Sequence, residues 1–245
     1  MKPVVAILSH SGANATVQRH WPLYLNCGCD IVGIGRTDTH CQWPAESGQF
    51  IGSMDIGQES YAKGDNHICR FLELVEWFLT DAMMKSYTHL VVIEYDGVFF
   101  APVPKLKINT FYGKLAGGKS DGFLGSMYIH TPWCMDRLCA GNVLKHGRAM
   151  LKAGLIEQGF LDRWFGLMID LYDLQWRDTG AGTYTHNTLD TPEKIAEAGR
   201  AVAEGAWYVH GLKTAEQLRQ LSHAIHEGLH RRQDARTTVD TAKGT

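Results

Sequence analysis

Leu90-Val91-Val92-Ile93-Glu94-Tyr95-Asp96-Gly97-Val98-Phe99-Phe100 runs four apolar residues, three of them β-branched, straight into two carboxylates and a glycine. An apolar run without polar alternation predicts a strand buried on both faces. Glu94 and Asp96 lie two apart at its C-terminal end, and in an extended chain such residues point the same way. That sets two hard oxygen ligands at the exit of a buried parallel strand, where open α/β sheets bind ligands. The pair suits a divalent cation carrying a phosphorylated ligand. Taken alone, the same residues also fit a strand end with two solvated acids.

Working outward, residues 4–8 (Val-Val-Ala-Ile-Leu) form a second buried-strand run, ending at the polar loop Ser9-His10-Ser11-Gly12. A helix is expected over about 13–27, interrupted or bent at Pro22. Residues 31–34 make a short strand that ends in Gly35-Arg36-Thr37-Asp38. This is βαβ spacing and implies a parallel sheet. Residues 39–62 are glycine-rich and read as irregular. Asp65 then serves as the N-cap of a long helix whose apolar residues, Ile68, Phe71, Leu72, Val75, Phe78 and Leu79, recur at helical spacing. Every strand of the first hundred residues thus ends in polar side chains.

Beyond Phe100, Ala101-Pro102-Val103-Pro104 breaks the chain, and residues 105–120 are basic and glycine-rich. A strand over 121–128 and a helix over about 134–153, started by Pro132-Trp133, are expected next. Further helices are read over about 161–174, from Thr191-Pro192 to near Gly205, and over about 214–230. Thr179–Thr183 reads as a flexible loop, Trp207–Gly211 as a short strand and turn, and the polar tail from Arg231 as frayed. With no repeat or clear linker, residues 1–230 read as one domain, with a polar tail at 231–245.

The 245 residues suffice for one large α/β domain, and 44% hydrophobic with 20% charged residues is an ordinary globular mixture. A net charge of −2 gives no electrostatic reason to expect nucleic acid as a partner. The six cysteines form no C-x-x-C pair and are read as reduced thiols. The apolar run after Met1-Lys2-Pro3 is too short for a signal peptide or a membrane span, so a cytoplasmic location is expected.

Several motifs compete with plainer readings. Gly113-Lys114-Leu115-Ala116-Gly117-Gly118-Lys119-Ser120 fits the phosphate-binding pattern G-x-x-x-x-G-K-[ST]. The mechanism requires a helix directly after it, and Asp121-Gly122-Phe123-Leu124-Gly125 reads as strand, so the match is set aside. His210-Gly211-Leu212-Lys213 pairs a histidine that can complete a metal site with a lysine that can neutralise phosphate; a surface turn is the alternative. His223, His226 and His230 share a helix face next to Arg231-Arg232 and read as solvated. Asp162, opening the helix at 161, is either an acid favoured by the helix dipole or a catalytic carboxylate. Asp136 and Asp170 read as solvated helix faces.

In this order of features the chain resembles the GT-A class of nucleotide-sugar glycosyltransferases. Glu94-Tyr95-Asp96 looks like the acidic D-x-D-type motif of the class, and His210-Gly211-Leu212-Lys213 like a compressed form of its C-terminal H-x-x-G-x-x-K stretch. The resemblance implies a Rossmann-like nucleotide-binding half (1–100) and an acceptor half (101–230), with a mixed central sheet flanked by helices. It implies transfer of a glycosyl group from a nucleoside diphosphate sugar to a glycan or small-molecule acceptor. Mn²⁺ or Mg²⁺ is then held by Asp96, His210 and, directly or through water, Glu94. Ser9, Thr37 and Asp38 stand where the class holds base and ribose, Lys213 near the phosphates, and Asp162 where an inverting enzyme places its base. Trp133, Trp176 and Tyr128 are placed either to stack on an acceptor sugar or to fill the core. The alternatives are a nucleotidyltransferase that makes nucleotide sugars, and a non-catalytic nucleotide- or sugar-binding module.

Overall fold

A computed structural model of the protein describes residues 1–36, 41–44, 48–56, 65–116, 128–155, 161–186 and 188–243. Along the chain come β1 (Pro3–Leu8), α1 (Asn14–Tyr24), β2 (Asp30–Gly35), β3 (Phe50–Asp55), α2 (Asp65–Thr80), β4 (His89–Glu94) and β5 (Val98–Phe99). Then follow β6 (Phe111–Ala116), β7 (Tyr128–Asp136), α3 (Arg137–Lys152), α4 (Leu161–Tyr172), β8 (Trp176–Asp178), β9 (Thr183–Tyr184), α5 (Pro192–Ala203), β10 (Tyr208–Val209) and α6 (Ala215–Lys243). The fold is α/β, with a mixed seven-stranded sheet in the order β3-β2-β1-β4-β7-β6-β8 flanked by helices.

The first four strands of that order are parallel. Their apolar runs lack alternation because both faces are covered. Val4, Ala6, Val32, Ile34, Leu90 and Val92 pack into one core, roofed by α2, α3 and α4. Val5, Ile7, Ile31, Val91 and Ile93 pack into the other, with α1 and α5. Val4 to Ile7 and Leu90 to Ile93 are fully buried, and each Val, Leu or Ile among them contributes roughly 1.5–3 kcal/mol. Parallel register sets Leu8 opposite both Ile34 and Glu94, so three strand exits end level. Chain order reverses between β1 and β4, and a crevice outside that point is where open sheets take ligands.

The structure departs from the sequence reading in several places. Residues 50–55, read as irregular, form β3, a partly exposed edge strand whose weaker apolar pattern hides it. The helix expected from about 134 begins at Arg137, because Thr131 to Asp136 continue β7. Pro132 starts no helix. It lies where the β6–β7 register shifts, a bulge that tolerates its missing N–H. Asp136 is a buried N-cap whose side chain accepts from the Cys139 N–H at 3.0 Å, not a solvated acid. Gly113 to Ala116 belong to β6, paired with β7, so the first half of the phosphate-loop match is sheet; of the strand expected over 121–128 only Tyr128 is described, as the first residue of β7, and residues 117–127 lie outside the described residues.

β8 and β9 flank a 3-10 turn, Gly180–Gly182, where a flexible loop is expected; Lys114 Nζ donates to the Gly180 carbonyl at 2.8 Å. α1 continues through Pro22 to Tyr24 before a 3-10 turn. Thr191 caps α5 with Pro192 at its first turn, as its sequence predicts. α6 does not fray at Arg231 but runs to Lys243. Its start is a capping box: Gln217 N–H donates to Thr214 Oγ1 at 3.1 Å, while Thr214 N–H donates to Gln217 Oε1 at 2.9 Å. All six cysteines are free. Among the described residues no helix is long and apolar enough to cross a membrane.

Candidate metal centre

The sheet's ladder carries one residue past β4: Tyr95 N–H donates to Leu8 O at 3.0 Å. The chain then turns, with Gly97 N–H donating to Glu94 O at 2.9 Å, and enters β5. β5 pairs antiparallel with β10, and β10 parallel with β9. This small sheet delivers His210. Its N–H donates to Tyr184 O at 2.9 Å, and the next two amides, Gly211 and Leu212, donate to the Asp96 carbonyl at 3.2 and 2.9 Å. Gly211 adopts φ +98°, a left-handed conformation that suits glycine, and a Cβ there would press on His186 O.

Gly97 is required for a different reason: a Cβ would overlap the Tyr208 hydroxyl, which also bonds Thr131 Oγ1 at 3.0 Å. Gly97→Ala is therefore expected to destabilise the fold by about 1–3 kcal/mol, the usual cost of overpacking. Urea denaturation monitored by tryptophan fluorescence measures it, and an unchanged midpoint would show that Tyr208 moves freely.

These backbone bonds bring three side chains together. His210 Nε2 lies 2.9 Å from Glu94 Oε2 and 3.0 Å from Asp96 Oδ1. The donor atoms of the three residues all fall within 4.8 Å of one another. The Asp96 and His210 side chains are 5% and 6% exposed, whereas Glu94 is 44% exposed, so the cluster opens to solvent on the Glu94 side. Lys213 Nζ stands 3.8 Å from Asp96 Oδ2. Its backbone carbonyl is gripped by Thr16 Oγ1 and Arg19 Nη1 of α1, each at 3.3 Å.

Burial alone would strip His210 of its proton. The Asp96 charge, with hydrogen bonds from both carboxylates, reverses this and lifts the ring to about 10. Burial likewise opposes ionisation of Asp96, but the His210 charge and hydrogen bond, helped by Lys213, hold its carboxyl below the usual value. One imidazolium proton thus serves two carboxylates. His210 Nδ1 is buried with no hydrogen-bond partner among the described residues.

A divalent cation fits this donor set. Two carboxylate oxygens and one imidazole nitrogen form the mixed hard and borderline set that suits Mn²⁺ better than Mg²⁺, which prefers oxygen alone. The cation would replace the shared proton and satisfy all three groups.

Other expected site residues fall as follows. Ser9 is buried at the β1 exit, its N–H donating to Ile34 O at 2.9 Å. Thr37 and Asp38 lie outside the described residues, as does the Asp65 side chain. Asp162, in the first turn of α4, is not solitary: its Oδ2 lies 2.8 Å from His130 Nδ1 on β7. Trp133 is a core residue, 1% exposed, its indole N–H donating to Ile129 O, so it stacks on no acceptor. Trp176 packs against the α2–α4 core, and Tyr128 lies under the Arg163 guanidinium at 4.7 Å. His223, His226 and His230 are exposed, as expected, but Glu227 completes an H-E-x-x-H pattern with His226 and His230 that sequence reasoning passed over: the two Nε2 atoms stand 2.9 Å apart, and Glu227 Oε1 lies 3.6 Å from His223 Nδ1.

Sequence reasoning passed over His10. Its ring meets Tyr95 edge-on at 5.0 Å; burial, then the charges of Arg36 and Arg70, hold it below its ordinary value against the pull of Asp96. Its position at a strand exit beside Ser9 was the available signal. No family model matches the chain, and no curated protein gives a significant match to it.

Proposed function

We propose that the protein is a divalent-metal-dependent glycosyltransferase of GT-A type, moving a glycosyl group from a nucleoside diphosphate sugar to an acceptor hydroxyl. The observation that carries this reading is the convergence of Glu94, Asp96 and His210, with Lys213 beside them, at the β1/β4 reversal point. Asp96 and His210 would hold the cation from the buried side and Glu94 from the open side. When bound, it supplies positive charge against the negative charge that develops on a departing diphosphate. Lys213 adds a point charge from the turn after His210, at a lysine side chain 46% exposed and able to swing toward solvent. Ser9 and His10 line the neighbouring exit of β1, on the side where a nucleoside would lie. An inverting outcome also needs a base for the acceptor hydroxyl, and the carboxylate expected for it, Asp162, is tied to His130.

The test is a thermal-shift screen of UDP-, GDP-, ADP- and dTDP-sugars with and without Mn²⁺. A ligand at a hundredfold over its Kd stabilises by about 2.7 kcal/mol, which in a chain of this size raises Tm by about 5–10 °C. At least one nucleotide sugar is expected to give such a rise only with Mn²⁺. No rise with any of them, in either condition, would sink the donor-site reading.

A further inference from the structure

We propose that His130 is the group that takes the acceptor proton and that Asp162 is its positioning residue; this rests on the glycosyl-transfer reading above. The Asp162 carboxylate faces Nδ1 of the ring at 2.8 Å. A carboxylate there fixes the tautomer, so that Nδ1 carries the proton and Nε2 presents a lone pair. Among the described residues Nε2 makes no hydrogen bond. The His130 side chain is 15% exposed and that of Asp162 26%, so the pair is sheltered yet reachable. Histidine is also the side chain most often used as a general base.

The pair stands at the same sheet edge as the metal cluster. β7 runs antiparallel to β4, so its opening residues lie toward the end of β4 that carries Glu94. Two hydrogen-bonded routes tie them. Thr131, next to His130, bonds the hydroxyl of Tyr208, two residues before His210. The Thr131 carbonyl accepts from Thr185 Oγ1 at 3.1 Å, and the neighbouring Tyr184 carbonyl accepts from His210 N–H.

In the step, the acceptor oxygen attacks the anomeric carbon and forms the new C–O bond. Its proton passes to His130 Nε2. The bond from the anomeric carbon to the diphosphate oxygen breaks, and its electron pair leaves with the diphosphate. The imidazolium that forms is stabilised by Asp162, which keeps its own charge.

His130→Gln and Asp162→Asn test the assignment, with hydrolysis of the nucleotide sugar that gives the largest Mn²⁺-dependent thermal shift as the readout and water as the acceptor. His130→Gln is expected to lower kcat at least about a hundredfold, the usual contribution of a general base. Asp162→Asn is expected to lower kcat less, with donor KM unchanged. Both variants are expected to keep the wild-type Mn²⁺-dependent shift, which reports folding and the donor site independently of turnover. If Asp162→Asn abolishes hydrolysis while His130→Gln stays within threefold of wild type, the aspartate is the base and the proposal is overturned. If both keep full activity, no base acts from this pair. If the wild type binds no nucleotide sugar, the donor-site reading fails and the proposal with it.

Discussion

Asp96→Ala is expected to weaken Mn²⁺ binding by at least about a hundredfold, because removing even an outer partner of a metal ligand costs 10–100-fold and Asp96 is placed as a direct one. Three features single it out among the carboxylates of the cluster. It is buried, it is held ionised by His210 and Lys213, and its own carbonyl anchors the two amides that follow His210. The substitution leaves that carbonyl bond in place, so the loop keeps its backbone anchor while the site loses its buried charge. It also removes the main influence that keeps His210 protonated, leaving only Glu94 to oppose the pull of burial toward the neutral ring. Neutral imidazole is a competent ligand, but with Glu94 alone it offers only two donors, one of them 44% exposed. Glu94→Gln should cost less, about tenfold, because solvent can replace a ligand on the open side. Isothermal titration with Mn²⁺ measures both. An Asp96→Ala variant within threefold of wild type would place any metal elsewhere.

The two halves of the fold differ in how openly the sequence declares them. Val4 to Ile7 and Leu90 to Ile93 are legible because strands covered on both faces must be apolar at every position. β3, β6 and β7 are not, since a mixed sheet's edge and antiparallel strands relax that demand. Pro132 misleads most: as a helix starter it is ordinary, yet here it occupies a bulge between two pairings, and the helix waits for the Asp136 cap. In the site, Glu94 and Asp96 follow from period-two geometry alone. His210 and Lys213 are recognisable as residue types, but their short spacing makes sense only through Gly211, whose positive φ folds Lys213 back beside Asp96. The His130–Asp162 pair gives no sequence signal. Its members lie on different elements, and only the return of β7 beside β4 and β6 brings them together.

Mn²⁺ affinity is expected to rise about tenfold per pH unit between pH 6 and 8, roughly a hundredfold in all, because the metal and a proton compete for His210 Nε2. The metal-free ring is lifted to about 10 by Asp96 and Glu94 against the pull of burial, so across this window it is protonated and each binding event releases one proton. An ordinary histidine, near 6.5, would give a slope that flattens above neutrality. The persistence of the slope to pH 8 is thus the signature of the carboxylate pair, and His210→Ala should abolish it together with most of the affinity. The metal-free protein should show the opposite trend. A histidine whose folded pKa is raised contributes stability that is complete below about 6.5 and is lost as pH climbs through about 10. Asp96, depressed in the fold, contributes stability above its ordinary value and keeps it throughout that range. Metal-free Tm should therefore fall from pH 7 to pH 10 while Mn²⁺-induced stabilisation grows from pH 6 to 8. Calorimetry in two buffers of different ionisation enthalpy counts the released proton directly. A count near zero at pH 7 would mean that His210 is already neutral or is not a ligand, and either result breaks the link between this cluster and the cation.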